Sequence, residues 1–431
     1  MRALALIDGE HYPDVVRDAL AALPYEVVGA VMLGGTEKLR DGEPDYGTPL
    51  WHDLGEALAT LEPDLVVDLS DEPVVGPRRR FRLASQVLAA GLAYVGADFR
   101  LEPVPFAPLG VPALAVIGSG KRVGKTAAAG YVARLLGESR EVVVVAMGRG
   151  GPAEPVVTEA SPTVESLLAL SRGGVHAASD YLEDAALAGV VTVGARRCGG
   201  GLAGAPFHSN VEEAARLAAS LSPDLVLLEG SGAAIPPVEA RRRILVAGAH
   251  QDPEIVAGYL GAYRLLLSDL VVLTMCEEPR ATAAQVGALR EAIAAVDPEL
   301  PVVATVLRPR PVESVAGRRV AFFSTAASAI HERLREHLEA EHGAELVLVS
   351  GSLANREALR AELDSEEARR AEAFLVEIKA AAIDVVAETA AERGIPVVFA
   401  DNEVFPLAGE RDLDTLVLAL ADAVVAEGVA A

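Results

Sequence analysis

The segment "ALAVIGSGKRVGKTAAAGYVARLL", residues 113–136, constrains the fold more than any other. An apolar run of strand length passes into a glycine-rich loop, and the loop into an alanine-rich stretch with helical spacing. In that context backbone N–H groups and a helix dipole can cradle phosphates. The residues expected to bind ATP are Gly118, Gly120, Val123, Gly124, Lys125 and Thr126. Lys125 reaches the β- and γ-phosphate oxygens, and Thr126 is expected to ligate Mg2+. Ser119 stands where the usual first glycine of such a loop falls. The glycine is displaced to Gly118, seven residues before Lys125.

The rest of the chain repeats the alternation of apolar runs with amphipathic, alanine-rich stretches, which predicts an α/β fold of three Rossmann-like units. The central unit carries the phosphate loop on a mostly parallel sheet. Boundaries fall at residues 1–110, 111–300 and 301–431, the first marked by the proline-rich "LEPVPFAPLGVP". Residues 365–394 read as one long helix capped by Gly394. Sites on such sheets sit at the carboxyl ends of strands.

Composition narrows the function. A net charge of −24 argues against nucleic acid as a partner, since duplex binding needs a basic face. No apolar run approaches the roughly 20 residues that cross a bilayer, so no membrane role is expected. The opening "MRALALIDGEHYPD" reads as a strand rather than a signal peptide, and a cytoplasmic protein is expected. Two cysteines, Cys198 and Cys276, are too few for a disulfide framework or a zinc site. Of only four lysines, Lys38, Lys121, Lys125 and Lys379, two lie in the phosphate loop. A compact ammonium kept in an arginine-rich chain points to specific use.

A second motif is "DLVLLEGSG", residues 224–232, an apolar strand ending in Glu229 and a small-residue turn. A carboxylate there suits Mg2+ or an oriented water beside the phosphate loop. The loop spacing and this motif resemble dethiobiotin synthetase, with its G-T-D-T-x-V-G-K-T and V-E-G-A-G. That resemblance implies an enzyme that phosphorylates an acidic group to activate it. Basic residues then suggest a polyanionic acceptor: Lys121 and Arg122 in the loop, Arg149 in "AMGRGG", and Arg196, Arg197 and His208 in the glycine-rich loop 194–210. Further runs at Arg78–Arg80 and Arg82, Arg241–Arg243, and Arg308 and Arg310 are equally readable as surface charge paired with nearby Asp and Glu. Asp8, Glu10 and His11, with Asp68, Asp71 and Glu72, form an acidic cluster that could hold a metal or simply cap its turns. Asp401–Glu403 is read as a closing element over the site.

Taken together, "LALIDGEHYPDVVRDAL", "VVDLSDEPVV", "GSGKRVGKTA", "VVVVAMGRGGPAEP" and "RRCGGGLAGAPFHSN" resemble the cyclic 2,3-diphosphoglycerate synthetase family over essentially the whole chain. The resemblance implies an ATP-dependent, Mg2+-requiring ligase that closes a phosphoanhydride within 2,3-bisphosphoglycerate, working as a homodimer. The chemistry of such a reaction asks for Lys125, Lys121, Glu229 and Arg149 in catalysis. Thr126 and Glu229 would hold Mg2+, and Lys121, Arg122, Arg149, Arg196, Arg197, His208 and His11 the substrate. The alternatives are a carboxylate-activating ligase of the dethiobiotin type and a partitioning-type ATP switch. The switch would need its signature lysine at the position of Gly120.

Overall fold

Runs that are apolar at consecutive positions become strands buried on both faces, as helix-covered parallel sheets require. The computed structural model describes residues 1–35, 38, 45–158, 161–173, 179–378 and 382–429. Two compact units emerge. The first comprises Met1–Pro105, Asp252–Leu267 and Glu291–Glu299. Its strands are β1 (Arg2–Ile7), β2 (Glu26–Met32), β3 (Leu50–Trp51), β4 (Leu65–Asp68), β5 (Ala93–Val95) and β6 (Arg100–Leu101). They form a six-stranded sheet in the order β3-β2-β1-β4-β5-β6, parallel except at β5–β6. Helices α1 (Pro13–Ala22) and α3 (Pro77–Ala89) each open on a proline, whose fixed φ suits a first turn; α2 (Leu54–Leu61) is capped by Asp53.

The second unit comprises Phe106–Gln251, Ser268–Arg290 and the described chain from Leu300. Its strands are β7 (Ala113–Gly118), β8 (Val142–Gly148), β9 (Val156–Thr158), β10 (Val191–Cys198), β11 (His208–Ser209), β12 (Leu225–Glu229), β13 (Arg242–Gly248) and β14 (Leu270–Thr274). They continue as β15 (Val302–Pro311), β16 (Arg319–Phe323), β17 (Glu345–Ser350), β18 (Ala373–Glu377) and β19 (Val397–Pro406). All belong to a 13-stranded sheet whose path is β11-β10-β8-β12-β7-β13-β14-β15-β19-β18-β16-β17, with β9 paired to β10. Pairing is parallel except for β10 with β9 and β11, and β15 with β19. The expected α/β class with mostly parallel sheets is therefore found, and the strands after residue 300 extend the same sheet through the β15–β19 pair. Helices α4 (Lys125–Gly137), α5 (Val164–Arg172), α6 (Asp180–Ala188) and α7 (Val211–Ser220) connect its first strands.

Strand β7 lies mid-sheet between β12 and β13, with all six residues buried. Helix α4 packs Ala128, Ala129, Val132, Ala133 and Leu136 into the same core as Leu114 and Val116. Alanines at the contact let helix and sheet approach closely, which fixes the loop between β7 and α4.

Three expectations are corrected. Residues 365–394 are not one helix: a short helix at Glu366–Arg369 is followed by β18, a π-helical turn at Ala382–Val386 and a helix at Ala387–Arg393. Ala373, Phe374, Leu375 and Val376 are each fully buried, and consecutive positions can all be buried in a strand covered on both faces. Gly394 does cap the last helix, with φ 67°. Lys379 lies outside the described residues. Second, Gly194–Cys198 belongs to β10, so the glycine-rich loop starts only at Gly199. Third, Asp401–Glu403 is the interior of β19, paired to β15 through Arg310↔Asp401, and not a loop.

Candidate active site

The phosphate loop joins the end of β7 to the start of α4 and is pinned from two neighbouring strands. Ser119 donates its N–H to the Val246 carbonyl on β13 (2.9 Å) and its hydroxyl to Gln251 Oε1 (2.5 Å). The Val123 carbonyl accepts from Thr274 Oγ1 at the end of β14 (2.6 Å). Ser119 is thus a tether where the familiar glycine is absent. Gly118 carries the close approach instead: a Cβ there would lie 2.7 Å from the Gly232 carbonyl oxygen, closer than any side chain tolerates.

That contact brings in the second motif. Glu229 ends β12, paired to β7 at Val116, and is 1% exposed. Its carboxylate forms an ion pair with the Lys125 ammonium and faces the Thr126 hydroxyl and the Asp184 carboxyl. Burial pushes the Glu229 pKa up, but the Lys125 charge and the surrounding hydrogen bonds outweigh it and hold the group below the usual carboxylate range. Asp184, on α6 and 3% exposed, is pushed well above that range, by burial first and then by the Glu229 carboxylate. Neither of its oxygens meets a donor. Sequence reasoning missed Asp184. Its signal was an acid on a helical face otherwise set by Leu182, Ala185 and Ala186, all buried.

Just beyond Glu229, Gly232 adopts φ 58° and sits under a group of cations. A Cβ on it would lie 3.2 Å from Arg149 Nη2, 3.6 Å from Arg197 Nη2 and 3.6 Å from Lys121 Cγ. Arg197 donates to the Ser231 carbonyl (2.7 Å) and the Gly199 carbonyl (2.8 Å). Burial and then the neighbouring Arg149 guanidinium lower its pKa. The Asp180 carboxylate at the start of α6 partly offsets this by raising it.

The remaining expected residues divide. Arg122 is exposed in the loop with φ 59°. Arg196 is exposed, and strand alternation turns it to the face opposite Arg197. His208 is exposed on β11, opposite Cys198. His11 lies in the first unit, its Nδ1 hydrogen-bonded to Asp8 Oδ1 (2.8 Å). Asp8 also accepts from the Glu10 and Asp71 N–H groups, so this cluster caps its own turns. The other arginine runs are largely occupied locally: Arg80 with Asp68 (2.9 Å), Arg242 with Glu427, Arg308 with Glu277, and Arg310 with Asp401 (3.3 Å).

Among the described residues no three His, Cys, Asp or Glu side chains could hold a metal by themselves. Thr126, Glu229 and Asp184 are nevertheless neighbouring oxygen donors, and a hard divalent cation sharing nucleotide phosphates needs only one or two protein carboxylates. No helix among the described residues is long and apolar enough to cross a membrane.

A phosphate loop on a mid-sheet strand and a strand-end carboxylate paired with the loop lysine, with Lys121, Arg149 and Arg197 grouped beside them, define a P-loop enzyme. Family models agree along the chain: the cyclic 2,3-diphosphoglycerate synthetase N-terminal domain at residues 2–102, its P-loop domain at 113–306 and its C-terminal domain at 311–403. Cyclic 2,3-diphosphoglycerate synthetase of Rubrobacter xylanophilus is 54% identical, the match covering 98% of each chain. Those of Methanothermus fervidus (42%, covering 93% of this chain and 92% of that one) and Thermococcus kodakarensis (45%, covering 97% and 98%) are also similar. The chain belongs to the cyclic 2,3-diphosphoglycerate synthetase family. It is an ATP-dependent ligase, and the dethiobiotin-type alternative is not supported.

Proposed function

We propose that the protein converts 2,3-bisphosphoglycerate to cyclic 2,3-diphosphoglycerate, with ATP consumed to ADP and Pi. One observation supports the choice of acceptor: Lys121, Arg149 and Arg197 gather around Gly232, directly beside the phosphate loop, with Asp180 the carboxylate acting on Arg197. Such a nook suits a second polyanion laid against the γ-phosphate.

The chemistry follows from charge. One substrate phosphate oxygen attacks the γ-phosphorus and ADP leaves, which forms a phosphoanhydride. The second substrate phosphate then attacks the first, its P–O bond to the terminal phosphoryl breaks, and Pi departs with the electron pair. The nucleophiles are already ionised, so no general base is needed, and the protein's work is positioning and neutralisation. In this reading Lys125 moves from Glu229 to the ATP phosphates. Thr126 and Glu229 would hold Mg2+, which would supply charge stabilisation at the transferring phosphoryl group. Lys121, Arg149 and Arg197 hold the acceptor, with Arg122, Arg196, His208 and His11 as outer candidates.

The three-part division at residues 110 and 300, a homodimer and a cytoplasmic location complete the proposal. Sedimentation at twice the 44.8 kDa chain mass would support the dimer. The reading is tested by ADP release: it should depend on 2,3-bisphosphoglycerate. ATP turnover indifferent to that compound, or stimulated only by a diamino acid, would overturn it.

A further inference from the structure

Asp184 is buried where a helix facing a sheet would ordinarily place an apolar residue, as α6 does at Leu182, Ala185 and Ala186. Neither of its oxygens receives a hydrogen bond, and both are sealed from solvent. A core carboxyl without a donor is tolerated only where something else satisfies it. It faces Glu229, itself buried, and the nearby Lys125 ammonium is committed to Glu229. Once nucleotide phosphates draw the ammonium away, two adjacent carboxylates remain with no counter-charge. Thr126 adds a hydroxyl to the same point. The three oxygen donors come from three separate elements, the start of α4, the end of β12 and the middle of α6.

We propose that Asp184 is a carboxylate ligand of the divalent cation that accompanies the nucleotide, completing the set with Thr126 and Glu229. The proposal rests on the metal reading under Proposed function, in which only Thr126 and Glu229 hold the cation. It makes α6 a functional element that closes the cation site opposite the loop.

The test uses the full chain with saturating ADP and Mn2+, bound metal being read by electron paramagnetic resonance. Asp184→Asn keeps the shape and can still donate a hydrogen bond to Glu229, so it preserves any purely structural role. The expected result is Mn2+ affinity at least ~10-fold weaker in Asp184→Asn, with metal-free ADP affinity unchanged. Wild-type affinity in that variant, with Glu229→Gln impaired, overturns the Asp184 assignment alone. Wild-type affinity in both variants overturns the underlying metal reading too. If Asp184→Asn fails to fold, wild-type protein labelled with 13C at aspartate carboxyls decides. A 13C coupling to bound Mn2+ supports the proposal, and its absence overturns it, because Glu229 carries no label.

Discussion

At the residue scale, Arg196 and Arg197 separate the charges that matter from those that do not. They are neighbours in sequence and indistinguishable there, yet the strand's two-residue period turns them to opposite faces. Only Arg197 reaches the Gly232 nook, held by the Ser231 and Gly199 carbonyls. Arg197→Ala is therefore expected to raise the KM for 2,3-bisphosphoglycerate ~10- to 100-fold, each tenfold being about 1.4 kcal/mol. Arg196→Ala should change it less than ~3-fold, and initial rates against substrate concentration would read both. Equal effects would remove the basis for assigning the nook. Glu229 was legible beforehand because its strand, turn and carboxylate are contiguous. Asp184 was not, because its meaning depends on Lys125 and Glu229, 59 and 45 positions away in sequence.

At the element scale, local pattern was enough wherever a strand ran straight into a helix. The β7–loop–α4 unit follows from apolar run, glycines and alanines without reference to anything distant. It failed where identity is set by neighbours. Ala373–Val376 sits between arginine- and alanine-rich flanks with helical propensity, and only its place between β16 and β19 makes it a strand. The loop after β14 shows how such sheets are tied: Glu277 bridges Arg308 on β15 and Arg333 (2.8 Å). Burial pushes the Glu277 pKa up, but hydrogen bonds and charge from Arg308, then Arg333, bring it below the ordinary glutamate value. A carboxylate whose folded pKa is depressed contributes stability above its unfolded pKa and loses it as pH falls through the folded one. Wild type should thus melt above Glu277→Gln near neutral pH. The gap should close as pH falls below the ordinary glutamate range. A gap independent of pH between neutral and acid would contradict the assignment.

At the scale of the whole molecule, the excess of acid over base sharpens the reading of the cations grouped at Gly232. A chain with 62 acidic and 38 basic residues has carboxylates to spare, and most arginine runs find one. Those around Gly232 are three gathered near one carboxylate, Asp180, and a polyanionic acceptor bound against ATP is what they would serve. The most direct measurement is phosphorus NMR of the full chain with ATP, Mg2+ and 2,3-bisphosphoglycerate. The account predicts that the two phosphomonoester signals of the substrate are replaced by signals of a cyclic pyrophosphate, with one ADP and one Pi formed per ring closed. Steady ADP and Pi production with the substrate's monoester signals unchanged would contradict it.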